Sequence, residues 1–252
     1  MSVAWTPRLR MFAGPNGSGK STIKSYVGRY IPEELFGHYI NPDEFEGAVR
    51  RSGHLDFKQF NLEVDEAEVL DFFRQSAWLA KVGLAEAAAR LKFSKDRLDF
   101  SGVEVNSYLA SVASDFVRRK LLLSRQTFTF ETVMSSPDKV EFLAEARRSG
   151  YRTYLYYVAT EDPAINISRV ENRVRAGGHD VPADKITARY HRSLALLWEA
   201  IKHANRAYIF DNSSTEAEWV AEITEAERLE IKTDNVPAWF SKLITNKDEG
   251  GV

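Results

Sequence analysis

The chain of 252 residues contains no cysteine, which excludes disulfide bridges and thiolate metal centres. It also lacks an excess of either charge, since 34 Lys and Arg stand against 36 Asp and Glu, for a net charge of −2. A surface built as a whole to attract a polyanion is therefore not expected, and nucleic acid is an unexpected partner. Any anion-binding chemistry has to be concentrated locally. No run approaches eighteen consecutive apolar residues and no apolar signal segment follows the start. A soluble, cytoplasmic protein with no membrane partner is expected on those grounds. Internal repeats and long low-complexity segments are missing too, so the length suits one α/β domain with an insertion or two small domains.

Against this plain background stands Gly14-Pro15-Asn16-Gly17-Ser18-Gly19-Lys20-Ser21-Thr22, which fits the pattern G-x-x-x-x-G-K-[ST]. Each required residue type has a chemical task. The glycines let successive backbone N–H groups converge on phosphate oxygens, Lys20 reaches the β- and γ-phosphates of a nucleotide, and Ser21 ligates Mg²⁺ at the positive end of the following helix. A flexible glycine turn is the competing explanation, and context decides against it. Arg8–Ala13 is an apolar-rich run suited to a buried strand, and Thr22–Val27 continues as a helix. Strand, loop and helix occur in the order that a nucleotide-binding loop needs, with ATP and Mg²⁺ as the expected cofactors.

The rest of the chain supplies the rhythm of a parallel sheet. His38–Asn41 reads as a second strand ending at Pro42-Asp43-Glu44, and residues 62–92 read as one long or two consecutive helices. A further helix is expected over Ser107–Leu123. Residues 126–131 alternate, with Phe128 and Phe130 on one face and Thr127, Thr129 and Glu131 on the other. Ser136-Pro137 starts a helix, Tyr151–Ala159 forms a strand, and Asp162-Pro163 starts another helix that Gly177-Gly178 breaks. Val181-Pro182-Ala183-Asp184 begins the next, and Ala207–Asp211 is a late strand. Trp219–Thr233 suits a hairpin, Pro237–Phe240 a short helix, and the polar tail from Asn246 a frayed end. The expected architecture is α/β: a mostly parallel, P-loop kinase-like sheet flanked by helices, spanning residues 1–215. It carries a helical insertion over about 55–123, a lid over about 169–189 and a small C-terminal extension over 216–252.

Ligands of such sheets sit at the carboxyl ends of strands, which gathers the loop, Asp43, Glu131 and Asp211-Asn212 around one crevice. Asn212 is counted with the loop as cofactor-binding. Asp43 has two readings, the base that takes a proton from an acceptor hydroxyl, or the N-cap of a helix beginning near Glu44. Arg169 and Arg173 are four apart on one helix face, with Arg175 near its exit. Beside the Gly177-Gly178-His179 break they suit a lid that carries guanidinium groups onto phosphate, and equally a solvated helix face. His179 reads as a lid hydrogen-bonding residue, because no spacing near it completes a metal set. Glu131 either meets substrate hydroxyls, helps arrange Mg²⁺ through water, or caps a loop. Thr132 adds a donor suited to a sugar or phosphate, and the scattered tryptophans suit packing.

These landmarks resemble the zeta toxin family of P-loop kinases. The resemblance rests on Ala13–Thr22, Ile40-Asn41-Pro42-Asp43-Glu44, Phe130-Glu131-Thr132-Val133-Met134-Ser135-Ser136 and Arg173-Val174-Arg175-Ala176-Gly177-Gly178-His179-Asp180-Val181-Pro182. Ile186, Arg189, Tyr190 and Asp211-Asn212-Ser213 follow in order, and the likeness covers about Leu9 to Ser214. The Gly-Gly-His-x-Val-Pro lid is similar to a broad zeta toxin-like bacterial ATPase branch. The resemblance implies an ATP-dependent kinase that phosphorylates the sugar 3′-hydroxyl of UDP-N-acetylglucosamine or a related UDP-sugar. It implies Lys20 and Ser21 on ATP and Mg²⁺, Asp43 as base, Glu131 and Thr132 on substrate, and Arg169, Arg173 and Arg175 on the transferred charge. It also implies an antitoxin protein as partner. Two alternatives stand beside it, a kinase for a nucleotide or an RNA 5′-hydroxyl, and an ATP-gated regulatory module without transfer to a small molecule.

Overall fold

Parallel strands covered on both faces read as continuous apolar runs, and the first strand, β1 (Arg8–Ala13), buries every residue after Arg8. A computed structural model describes residues 5–178 and 180–249. The chain forms two compact units, one from residues up to 36 and from 129 onward, the other from 37–128. After β1 the first unit continues with α1 (Lys20–Gly28) and α2 (Glu33–Phe36). The second unit then holds β2 (His38–Ile40), α3 (Pro42–Ser52), β3 (His54–Asp56) and a 3-10 turn at Phe57–Phe60. It continues with α4 (Glu66–Arg74), α5 (Ala77–Lys81), α6 (Ala85–Arg90), β4 (Lys92–Ser94), β5 (Arg97–Asp99) and α7 (Ser107–Leu123). The chain returns through β6 (Phe128–Thr132), α8 (Pro137–Arg148), β7 (Arg152–Ala159), α9 (Pro163–Arg175) and α10 (Ala183–Lys202). It closes with β8 (Arg206–Asp211), β9 (Glu218–Thr224), β10 (Arg228–Ile231) and α11 (Ala238–Glu249).

In the first unit the strands of the main sheet run β10-β9-β8-β7-β1-β6. β1 pairs parallel with β7, Arg8 opposite Arg152 and Ala13 opposite Tyr157, and β7 pairs parallel with β8. β9 and β10 then add an antiparallel hairpin. The sheet is thus mostly parallel with helices against it, an α/β fold. Successive residues of β7 show the two covered faces. Tyr156 packs with Phe12 and with Ile23 of α1, whereas the Tyr157 hydroxyl meets Ser193 Oγ of α10 at 3.0 Å. Cross-strand register stacks Phe12 on Tyr156 and Tyr156 on Tyr208, with ring centroids 4.5 and 4.8 Å apart.

The strand β6 is buried on both faces from Phe128 through Glu131, because it lies inside a covered sheet. Several elements depart from the sequence expectation. Residues 62–92 make three short helices in place of one or two. Ser76 caps α5 by accepting the Leu79 N–H, and Gly83 turns the chain at φ 77°, so helical composition is cut by two local stop signals. The insertion is also not purely helical, since β3, β5 and β4 form a small antiparallel sheet. At the C-terminus α11 runs to Glu249, beyond the short helix expected and into the polar tail expected to fray.

Burial pushes the Tyr156 and Tyr157 hydroxyls up, and Tyr190 up to about 12. A phenol whose folded pKa lies above its unfolded value keeps its proton in the folded state where the unfolded chain has lost it. Its contribution to stability is complete below the ordinary value of 10.0 and falls as pH rises through the folded value. Denaturant midpoints are therefore expected to drop as pH climbs from 10 towards 12, with a shallower drop in Tyr157→Phe. A midpoint independent of alkaline pH would contradict this.

Candidate active site

The loop between β1 and α1 is moulded by close approach of other backbone. A Cβ on Gly14 would lie 2.0 Å from Val158 O, and one on Gly19 would lie 2.1 Å from the Asn212 side-chain nitrogen. Gly19 also sits at φ 93° as the N-cap of α1 and offers no capping side chain. The first N–H groups of α1 therefore have no side-chain acceptor at the cap and suit an anion.

Side chains of the same unit hold the loop's carbonyl oxygens. Asn212 Nδ2 donates to Ser18 O at 2.7 Å, and Asn166 Nδ2 donates to Asn16 O at 2.6 Å. Asn166 is itself fixed, because Thr160 Oγ1 donates to its Oδ1. Arg189 reaches Asn16 Oδ1 over a longer 3.4 Å. Lys20 Nζ donates to Gly14 O and Pro15 O, both at 2.9 Å, so the ammonium lies over the loop. Ser21 Oγ donates to Glu131 Oε2 at 2.9 Å, which ties the start of α1 to the end of β6. Ser18 Oγ is buried without a hydrogen-bond partner.

These observations fit a nucleotide and a hard cation. Glycines that admit no Cβ, an ammonium over the loop and an unsatisfied buried hydroxyl suit phosphate oxygens. The paired hydroxyl and carboxylate of Ser21 and Glu131 are the oxygen donors Mg²⁺ prefers. No cluster of three or more His, Asp or Glu that could hold a metal occurs among the described residues. A cation here would rest on those two side chains, phosphate and water.

The other candidates divide. Asn212 lies against the loop through its hydrogen bond to Ser18 O. Arg169 donates to Asn212 O at 2.7 Å and Ser214 O at 3.0 Å, so its guanidinium is committed to the turn after β8. Arg173 and Arg175 are exposed near the end of α9, and Arg175 makes a long 3.4 Å contact with Asn172. Gly177 turns the chain there at φ 87°, while Val170, Val181 and Ile186 close the α9–α10 hairpin with an apolar cluster. His179 lies outside the described residues. Thr132 Oγ1 accepts the Met134 N–H at 3.1 Å, which shapes the turn where Met134 takes φ 51°.

Asp43 belongs to the second unit. It is not the N-cap of its helix. Asn41 is, and its Oδ1 accepts the Asp43 N–H at 2.9 Å, leaving the Asp43 carboxylate exposed in the first turn of α3. Asp43 lines a groove of about 520 Å³ together with Tyr39, Phe45, Arg51, Gln59 and Phe60.

Asn166 and Thr160 were missed by sequence reasoning. A signal existed for the first: Asn166 precedes Val170 and Val174 by four and eight residues, so an amide sits on the apolar stripe of α9. A buried amide needs partners. Thr160, just past a strand, carries no such mark.

Known proteins resemble the chain in part. The zeta toxin family model matches residues 105–222. The match begins well after the glycine loop. An uncharacterized protein of Haemophilus influenzae is 29% identical over 63 residues, which is 25% of this chain and 45% of that protein. The crystal structure of AvrRxo1-ORF1:AvrRxo1-ORF2 with sulphate ions matches at TM-score 0.55 and 13% identity, over 97% of this chain and 65% of that one. The AvrRxo1-ORF1:-ORF2 structure with ATP matches at TM-score 0.55 and 15% identity over the same shares. These structures support the fold, and the chain spans less than two thirds of each relative. No helix among the described residues is long and apolar enough to cross a membrane.

Gly19→Ala is expected to abolish binding of ATP, since the new methyl meets Asn212 and the backbone is strained at positive φ. Calorimetric titration checks this, and unimpaired binding would mean that the loop is not held as described.

Proposed function

We propose that this chain, which carries a zeta toxin family domain over residues 105–222, is an ATP-dependent kinase acting on the hydroxyl of a small acceptor. The observation that carries the reading is the Ser21–Glu131 hydrogen bond, which sets a carboxylate beside the hydroxyl of a glycine loop that already holds its lysine. Bound Mg²⁺ would supply charge neutralisation for the phosphates, held through Ser21 and arranged by Glu131. Lys20 and the N–H groups of the loop bind and orient the phosphates, while Asn212 and Asn166 keep the loop in shape.

The acceptor reading centres on the second unit. Asp43 takes the proton of the acceptor hydroxyl as its oxygen bonds to the γ-phosphorus, and the bond to the bridging oxygen breaks to release ADP. The groove that Asp43 lines has aromatic rings from Tyr39, Phe45 and Phe60 for a base or sugar and the Arg51 guanidinium for a phosphate. That chemistry, with the family likeness, supports UDP-N-acetylglucosamine or a related UDP-sugar as acceptor, phosphorylated at the sugar 3′-hydroxyl. Arg173 and Arg175, exposed beside Gly177, are the lid arginines proposed for the transferred charge. Arg169 is assigned instead to the turn after β8. The solved relatives are named as two-chain assemblies, AvrRxo1-ORF1 with AvrRxo1-ORF2, and an antitoxin is proposed as the protein partner here. The cytoplasm, where ATP and a UDP-sugar meet, is the proposed location.

The test is transfer itself. Purified protein with ATP and Mg²⁺ is expected to add one phosphate to a UDP-sugar, read by mass spectrometry across UDP-sugars, nucleotides and 5′-hydroxyl RNA. Asp43→Asn is expected to keep ATP binding and lose about 10²–10⁴-fold in rate. Phosphate on RNA or a nucleotide alone would replace the acceptor, and hydrolysis without transfer would favour an ATP-gated module. Full transfer by Asp43→Asn would remove Asp43 from its role.

A further inference from the structure

The turn that follows β8 does more than end a strand. Asn212 grips the glycine loop through Ser18 O, and its own backbone N–H is anchored on Ala159 O at 2.8 Å. The preceding residue, Asp211, is buried, and its two carboxylate oxygens take different donors. Oδ2 accepts the Ser213 N–H at 3.0 Å, and Oδ1 accepts both Ser213 Oγ at 2.9 Å and the Trp239 indole N–H at 2.8 Å. Ser213 Oγ in turn accepts the Glu161 N–H at 2.7 Å, linking the turn to the start of α9. Trp239 lies on α11 and is itself nearly buried, against Tyr157 and Phe240.

We infer that Trp239 is a positioning residue for nucleotide binding: through Asp211 it fixes the turn from which Asn212 holds the glycine loop. A buried carboxylate must have its oxygens satisfied, and it takes whatever conformation supplies donors. With the indole N–H in place, Asp211 is held from one side by α11 and from the other by Ser213. Asn212, between the two, has its side chain aimed at Ser18. Without the indole donor, Asp211 turns towards water or other donors, and the Asn212 amide loses its fixed approach to the loop. The C-terminal helix, remote in sequence from the glycine loop, thereby sets how well that loop is shaped before ATP arrives. The inference rests on the proposed nucleotide site.

The experiment compares ATP affinity with stability. Trp239→Phe keeps an aromatic ring in the same place and removes the indole N–H donor together with part of the bicyclic ring, and it is expected to weaken ATP binding about tenfold by calorimetric titration. The same variant should raise KM for ATP with little change in kcat. Phe240→Leu, at a neighbouring buried position that makes no side-chain hydrogen bond, is expected to lower the unfolding midpoint while leaving ATP affinity at the wild-type value. Ser213→Ala removes another donor to Asp211 and should weaken ATP as Trp239→Phe does. It serves in place of Trp239→Phe if that variant does not fold. Wild-type affinity in a folded Trp239→Phe or, in its place, Ser213→Ala would overturn the inference alone. So would equal weakening by Phe240→Leu, because the effect would then follow lost packing. A wild-type chain that binds no ATP would overturn the nucleotide site and this inference with it.

Discussion

The structure depends on how the carbonyl oxygens of one glycine loop are held. A trans peptide points its C=O and N–H in opposite directions within one plane, so a side chain that takes the carbonyl from one side turns the N–H to the other. Asn166 takes Asn16 O, and Asn212 takes Ser18 O. Lys20 takes the carbonyls of Gly14 and Pro15. The loop is thus shaped by the protein before a ligand is present, which is the condition under which hydrogen-bond donors stabilise charge without reorganising.

The sheet makes that holding feasible. Parallel pairing of β1, β7 and β8 brings the ends of three strands side by side. Thr160 and Asn212 therefore arrive beside the loop from segments remote in sequence, and Glu131 arrives from the end of β6. Each of these polar groups is buried or nearly so and each finds a partner in the loop or in the residues supporting it. Chemistry at the strand ends and rigidity behind them come from the same topology.

Much of this was legible in the sequence, for identifiable reasons. The glycine loop, the strands at 8–13 and 207–211 and the Pro-capped helices at 137 and 163 are set by local rules of sterics and capping, so they read directly. The small sheet of β3, β5 and β4 did not, because three-residue strands carry too few side chains for a period to show. Arg169 shows a different limit. Its spacing from Arg173 placed it on a lid face, yet which acceptor a guanidinium finds depends on tertiary neighbours, here two carbonyls beyond β8. Asp43 was separated from the capping role only by seeing Asn41 fill it.

Direct titration of the purified chain with ATP, in the presence and absence of Mg²⁺, tests the central claim most closely. Saturable binding strengthened by Mg²⁺, and lost in Lys20→Ala, is the result that a preformed nucleotide loop predicts. Binding that is undetectable in the wild type, or unchanged by Lys20→Ala, would contradict it.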